Sequence, residues 1–386
     1  MAGAHERLAA GLDTLSRGHL LRTRRVLQSP QGARVVLDGR ELANFSSNDY
    51  LGLANHPALA GAARESIARW GVGSGASALV SGHHEAHEAA ERRFAAFVRV
   101  ERALLFGSGY MANLGILAAL ADRHAEIFSD RLNHACLIDG AILSRATVTR
   151  YAHADPAALA RRLEASGAET KVIATDAVFS MDGDVAPLRE LLALAERHDA
   201  WLVVDDAHGI GVLGDRGRGT PDALGVTSPR LVHMATLGKA LGGYGAFVGG
   251  SAAVVEWLLQ RARTYIFSTA LPAFAADVAR AALDLLDAEP AHLERLRANI
   301  GLFRDACESR GVPLEPSRTA IQPLLLGEAQ QALRASQALL ERGLLVPAIR
   351  PPTVPEGTSR LRISLCAGHS QEDLHGLAAA LAECAT

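Results

Sequence analysis

Four cysteines in 386 residues, at 136, 307, 366 and 384 and without CxxC spacing, are too few and too scattered for a disulfide framework or a zinc cluster. They read as reduced, mostly structural thiols. No stretch approaches the roughly 18 uninterrupted apolar residues of a membrane span. Neither sign of charge dominates: the formal net charge is −3, which provides no basic surface for nucleic acid or an anionic membrane. The opening residues Met1-Ala-Gly-Ala-His-Glu-Arg lack the apolar core of a signal peptide. Glu6 and Asp13 speak against a transit peptide, despite the basic cluster Arg22, Arg24 and Arg25. Internal repeats and low-complexity linkers are missing as well. The expectation is a cytoplasmic protein whose partners are neither nucleic acid nor membrane.

The chain is 49% hydrophobic and 21% charged, ordinary for a globular enzyme, and long enough for a large core and more than one domain. Leu8, Leu12 and Leu15 suggest one face of a short N-terminal helix. Arg34 to Phe45 reads as a hairpin turning at Asp38-Gly39. Helices are expected near residues 58–70 and 83–98, flanking the glycine-rich loop Gly71-Val-Gly-Ser-Gly. From there short apolar runs begin at Ala103, Glu126, Lys171, Trp201, Leu231 and Ala246, most of them separated by helical patterns such as 111–121 and 188–198. That alternation predicts an α/β fold with a mainly parallel sheet covered on both faces. A long helical stretch follows at about 273–310. Strands near 321 and 360 and helices at 328–342 and 370–384 predict a small α+β C-terminal domain. The expected division is an N-terminal arm and hairpin (1–50), a large domain (51–280) and the small domain (281–386).

Two of the apolar runs end in chemistry. Trp201-Leu-Val-Val-Asp-Asp-Ala-His puts Asp205 and His208 at a strand terminus, and Thr236-Leu-Gly-Lys puts Lys239 just past the next strand. A lysine to form a Schiff base and a carboxylate to keep a pyridinium nitrogen protonated are what a pyridoxal phosphate (PLP) site needs. His208 stands close enough to border the same ring and tune it. Ser108-Gly-Tyr-Met-Ala follows another strand, and Gly107, Gly109 and Ala112 spell G-x-G-x-x-A before a helix. With Asp130 about 20 residues on, this motif alone fits a dinucleotide as well as a single phosphate at a helix N-terminus. Lys239 and Asp205 decide for PLP, because hydride transfer needs neither.

Ser180 and Asp182, in Phe179-Ser-Met-Asp-Gly-Asp, follow a strand end and are placed like site residues, although the same letters make a good turn. His134 also follows a strand end and could stack on the ring. His83, His84 and His87 tempt a metal reading, but His84-Glu85-Ala-His87 is one residue short of H-E-x-x-H. A solvated first helical turn near the mouth of the site, with no metal, is the preferred reading. Tyr265-Ile-Phe-Ser-Thr reads equally as an ordinary strand or as hydroxyls reaching a phosphate.

Together these motifs resemble the α-oxoamine synthases, PLP enzymes of fold type I that condense an amino acid with an acyl-CoA and lose CO2. The markers are Phe45-Ser-Ser-Asn-Asp-Tyr-Leu-Gly-Leu, Ser108-Gly-Tyr-Met-Ala-Asn, Phe179-Ser-Met-Asp-Gly-Asp, Asp205-Asp-Ala-His-Gly and Thr236-Leu-Gly-Lys. A sixth, Ile349-Arg-Pro-Pro-Thr-Val-Pro, resembles the biotin branch, which joins L-alanine to a pimeloyl thioester carried by CoA or an acyl carrier protein. Sister reactions, glycine C-acetyltransferase and 5-aminolevulinate synthase, use nearly the same residues, and a non-catalytic PLP-binding protein is a further alternative. The resemblance implies Lys239 as the Schiff-base lysine and Asp205 as the pyridinium partner. It places Gly109, Tyr110 and Thr236 at the phosphate, Ser180 and His208 on the cofactor, and His134 over its ring. It further implies Asn48 and Arg362 for the amino-acid carboxylate, and Arg22 and Thr353 for the acyl substrate. Because a pimeloyl chain ends in a second carboxylate, Arg22 or Arg350 is expected to neutralise it. Family members are homodimers with shared sites, so Ser268 and Thr269 are expected to reach the phosphate in the other subunit.

Overall fold

Backbone chemistry settles the first hairpin. β1 (Arg34–Leu37) and β2 (Arg40–Asn44) pair antiparallel across Asp38 and Gly39, whose φ angles are 50° and 72°. Two consecutive left-handed residues match the strands' own twist, and Asp-Gly is the pair that adopts them at least cost. The computed structural model describes residues 3–18 and 20–384, and these fall into two units. One unit comprises Asp49–Ser180 and Asp184–Leu296. The other takes the described residues up to Asn48, Met181–Gly183, and those from Arg297 onward.

The larger unit is built on seven strands: β3 (Arg102–Phe106), β4 (Glu126–Asp130), β5 (Thr147–Tyr151), β6 (Lys171–Asp176), β7 (Ala200–Asp205), β8 (Leu231–Thr236) and β9 (Ala246–Gly250). Their order is β3-β9-β8-β7-β6-β4-β5, and β9 alone runs antiparallel to its neighbours. Side chains alternate between the two faces of each strand, and both faces are apolar. Val172, Ala174, Val203 and Val232 join the core under the helix Gly109–Leu120, while Ile173, Leu202 and Val204 join the one under Leu188–Arg197. Continuous apolar strands are therefore a requirement of double coverage. β5 carried no such run: it is the edge strand and mostly exposed, so its sequence has no reason to be apolar.

Two local expectations fail. The stretch 273–310 is two helices, Ala273–Ala288 and Ala291–Glu308, because Pro290 can neither donate to a continuing helix nor let Glu289 stay helical. Arg263–Ile266 is a helical turn rather than a strand.

In the other unit β10 (Ile321–Gly327), β11 (Leu344–Leu345), β12 (Ala348–Ile349) and β13 (Ser359–Ser364) complete two small sheets, β1-β2-β11 and β10-β13-β12. β11 adds in parallel to β2, so the N-terminal hairpin and the C-terminal elements share one unit. His369 fastens the same join. Its ring stacks on Phe45 at 4.2 Å, its Nδ1 accepts from the Cys366 N–H at 3.1 Å, and its Nε2 donates to the Asn44 carbonyl at 3.0 Å. Cys136, Cys307 and Cys366 are buried free thiols; the side chain of Cys384 lies outside the described part.

Burial depresses the pKa of His369 to about 4. The unfolded chain takes up this proton near 6.5 and the folded chain only near 4, so the unfolded state binds more protons between those values. Stability should fall as pH drops through that window, by about 3 kcal/mol at most. Urea denaturation of wild type and His369→Gln from pH 7 to pH 4 checks this: the substitution should lower stability at pH 7 and flatten the dependence below it.

Candidate active site

Strand register delivers the central carboxylates. β6 and β7 pair in parallel with Asp176 beside Asp205, and Met234 of β8 sits beside Asp205 in turn. Both aspartates are buried. Two adjacent buried carboxylates cannot both hold charge cheaply. Burial, and then the charge of Asp205, push Asp176 well above the usual carboxylate range, toward its neutral form. Donors collect instead on Asp205. Its Oδ1 accepts the Ala207 N–H at 2.9 Å, and its Oδ2 accepts Asn113 Nδ2 at 2.7 Å and the Cys136 thiol at 3.8 Å. Burial raises the pKa of Cys136, keeping it a thiol.

His134 caps the helix Ala135–Ser144, accepting the Cys136 N–H at its ring Nδ1, while its backbone N–H donates to Asp176 Oδ2 at 3.0 Å. It is partly open to solvent. Desolvation still lowers its pKa, with Lys239 lowering it further and Asp205 opposing, so it is neutral at pH 7. Across the site, Lys239 Nζ lies 2.8 Å from His208 Nε2, and His208 Nδ1 shares a 2.7 Å hydrogen bond with the hydroxyl of fully buried Tyr50. Lysine, histidine and tyrosine thus form one connected chain.

A phosphate cradle is recognisable from its geometry. The helix Gly109–Leu120 begins beside the end of β8, and the Ser108 hydroxyl caps it by accepting the Met111 N–H at 3.2 Å. A Cβ placed on Gly109 would lie 2.5 Å from Thr236 Cγ2, so only glycine permits this approach. Thr236 Oγ1 is buried with no hydrogen-bond partner. An orphaned buried hydroxyl on a residue packed against a helix N-terminus marks a site short of an acceptor such as a phosphate oxygen. With Lys239 and Asp205 in the same unit, the residues fit PLP.

Of the residues expected for substrate, Arg362 and Asn48 meet in the other unit. Arg362 Nη1 donates to Asn48 Oδ1 at 3.1 Å and to Ser364 Oγ at 2.8 Å, and the guanidinium is buried on β13. Arg22 Nη2 donates to Thr353 Oγ1 at 3.4 Å, and Arg350 closes the same segment just after β12.

Residues 40–381 match the family described as Aminotransferase class I and II. The 8-amino-7-oxononanoate synthase of Aromatoleum aromaticum is 55% identical over 97% of both chains. That of Methylococcus capsulatus is 54% identical, again over 97% of both. The chain belongs to the class I and II aminotransferase family, in its 8-amino-7-oxononanoate synthase branch. Solved structures agree. A serine palmitoyltransferase of S. paucimobilis with a PLP adduct superposes with a TM-score of 0.92 at 29% identity, covering 98% of this chain and 96% of its own. An 8-amino-7-oxononanoate synthase of Francisella tularensis gives 0.77 at 31%, covering 89% and 97%.

Within this family fold, the readings of Asp130 and of the turn at 84–87 resolve differently from expectation, and the other motif residues take the places given below. Asp130 is no ribose acid: its carboxylate accepts the N–H groups of Leu132 and Ala154 and faces His153. The turn at 84–87 is not simply solvated. His87 is buried, donates from Nε2 to the Leu271 carbonyl at 2.6 Å and accepts the His84 N–H, while His83 pairs with Glu88. Tyr110 is exposed and donates its hydroxyl to Asp139. Ser180 sits half-buried beyond β6, and Asp182 is bound by Arg360. Ser268 and Thr269 line a cavity with His87 and Gly107, and Thr269 bridges to Ser77.

Tyr50, Asn113, Cys136 and Asp176 escaped the reading of the sequence. Tyr50 and Asn113 stood inside quoted motifs, and Asn113 falls one helical turn after Gly109, which was the available signal. Two substitutions test the site without altering Lys239. Gly109→Ala should overpack the cradle by about 1–3 kcal/mol. Asn113→Ala should remove a hydrogen bond to a carboxylate worth about 1.5–3 kcal/mol. Each is expected to weaken PLP binding at least tenfold in an absorbance titration.

Proposed function

We propose that this enzyme joins L-alanine to a pimeloyl thioester, releasing CO2 and the free thiol and forming 8-amino-7-oxononanoate for biotin biosynthesis. The observation that carries the reading is identity of 52–55% over nearly the whole chain with synthases of that name, in a chain holding the Lys239 and Asp205 pair. The high TM-score with a serine palmitoyltransferase reflects a shared fold at 29% identity, and the closer sequence match favours alanine.

Bound PLP supplies an electron sink for the carbanion formed at the alanine Cα. The chain's own residues are assigned as follows. Lys239 is the covalent anchor and, once displaced by alanine, the base that takes the Cα proton at Nζ. His208, held at Nδ1 by Tyr50, lies within a hydrogen bond of that nitrogen and borders the cofactor. Asp205 keeps the ring nitrogen protonated. The backbone N–H groups of Gly109 and Tyr110 with the hydroxyl of Thr236 bind the phosphate, Ser180 contacts the cofactor, and His134 stacks as a neutral ring. Arg362, steadied by Asn48, takes the alanine carboxylate, and its planar fork fixes orientation as well as charge. Orientation would matter twice, since the grip of Arg362 on the carboxylate would aim first the Cα–H bond and later the Cα–COO⁻ bond for cleavage. The carbanion attacks the thioester carbonyl and the thiolate leaves; loss of CO2 and reprotonation of Cα complete the balance.

Arg22, Arg350 and Thr353 are assigned to the acyl chain, with an arginine on its distal carboxylate. The donor is CoA-bound or carried by an acyl carrier protein. The working form is taken as a cytoplasmic homodimer in which Ser268 and Thr269 serve the phosphate of the second copy. No helix among the described residues is long and apolar enough to cross a membrane.

The PLP-loaded protein should release thiol from pimeloyl-CoA with L-alanine, and far less with glycine or L-serine. Release only from glycine with acetyl- or succinyl-CoA would move it to a sister reaction. Lys239→Ala should lower kcat by about 10⁴-fold, the upper end of what a positioned base contributes. For the acyl site, Arg22→Ala or Arg350→Ala should raise the pimeloyl KM while leaving the alanine KM unchanged. An unaltered pimeloyl KM in both variants would remove the assignment.

A further inference from the structure

Asp130 closes β4 with a carboxylate that is 1% exposed and already accepts two backbone N–H groups, from Leu132 at 2.9 Å and Ala154 at 2.8 Å. Against it lies the ring of His153, with Nδ1 3.1 Å from Asp130 Oδ1. The other ring nitrogen, Nε2, is 2.8 Å from Asp184 Oδ2. A histidine facing a carboxylate at each nitrogen donates from both, so this ring is an imidazolium. Burial opposes the charge, but the hydrogen bonds to Asp130 and then Asp184 push its pKa up to about 10.

The two groups that His153 touches on its far side are the two ends of one turn. Its ring meets Phe179 edge to face at 4.4 Å and 89°. Phe179 N donates to the Asp184 carbonyl at 3.0 Å, Val178 bridges Val185, and Ala186 N donates to the Ala177 carbonyl at 2.9 Å. Ser180 is carried between those ends. Asp184 Oδ1 is buried without a partner, so the bond from His153 to Oδ2 is what orients this carboxylate.

We propose that His153 is a positioning residue for the reaction, gripping Phe179 with its ring edge and Asp184 with Nε2 so that the turn presents the Ser180 hydroxyl to the cofactor. Asp130 anchors this grip to the sheet, since β4 pairs directly with β6, the strand from which the turn emerges. The inference rests on the assignment of Ser180 to the cofactor.

A double-mutant cycle on the PLP dissociation constant, followed by the absorbance of lysine-bound PLP, separates the two claims. His153→Phe should loosen PLP about tenfold, the lower end of what outer partners of a bound group contribute. His153→Gln, which keeps an N–H donor for Asp184, should recover most of that loss. His153→Phe combined with Ser180→Ala should be no weaker than Ser180→Ala alone, because both act through one hydroxyl. Amide exchange at Phe179 and Ala186 in the PLP-free His153→Phe protein should quicken. Where the phenylalanine variant does not fold, Asp184→Asn removes the anionic acceptor at constant size and is expected to give the same loosening. Unchanged PLP affinity in the folded variant, or losses that simply add in the double variant, overturns the role of His153. Unchanged affinity in Ser180→Ala overturns the Ser180 assignment and this inference with it.

Discussion

Parallel register at the carboxyl ends of β6, β7 and β8 is the constraint from which the site follows. Pairing that aligns Lys171 with Ala200 leaves Asp176 beside Asp205 five residues later, both inside the protein. Neither can move away without breaking the ladder, so the surroundings must divide them. Asp176 is driven toward its neutral form, while an amide, a thiol and a backbone N–H converge on Asp205. One carboxylate furnished with three donors results from two that geometry forced together.

The same rigidity extends to the rest of the pocket. Both faces of the sheet are packed with apolar side chains that are almost wholly buried, so the strand ends are fixed reference points. Thr236 belongs to β8 itself, and the helix beginning at Gly109 can approach it only because glycine has no side chain. Lys239 follows three residues later, in hydrogen-bond contact with His208 from the neighbouring strand's end. Groups held on such elements need little reorganisation when a cofactor or substrate arrives, which is the usual source of catalytic advantage.

In the sequence, legibility followed locality. Lys239, Asp205 and Gly109 stand at or just past the ends of apolar runs, where open α/β sheets gather their ligands, while Thr236 was legible only through the family motif. The hairpin at Asp38-Gly39 and the helix after Ser108 were legible for similar reasons, since each is decided by two or three neighbouring residues. The break at Pro290 was equally local and was passed over because the alanine- and leucine-rich letters on both sides share one helical pattern. β5 offered no pattern to read, being an exposed edge.

By itself the sequence determined the fold class, the strand-end chemistry and the motifs that place the chain in its family, because periodicity and turn chemistry act over a few residues. Tertiary structure alone decided what surrounds those residues. Tyr50 reaches His208 across 158 positions and Asn113 reaches Asp205 across 92, and no short-range rule links such pairs. It also converted Asp130 from a plausible ribose acid into the anchor of His153, and the turn at His84 and His87 into a partly buried brace. A side chain's identity fixes which bonds it can make. Only the packed chain fixes which of them it does make.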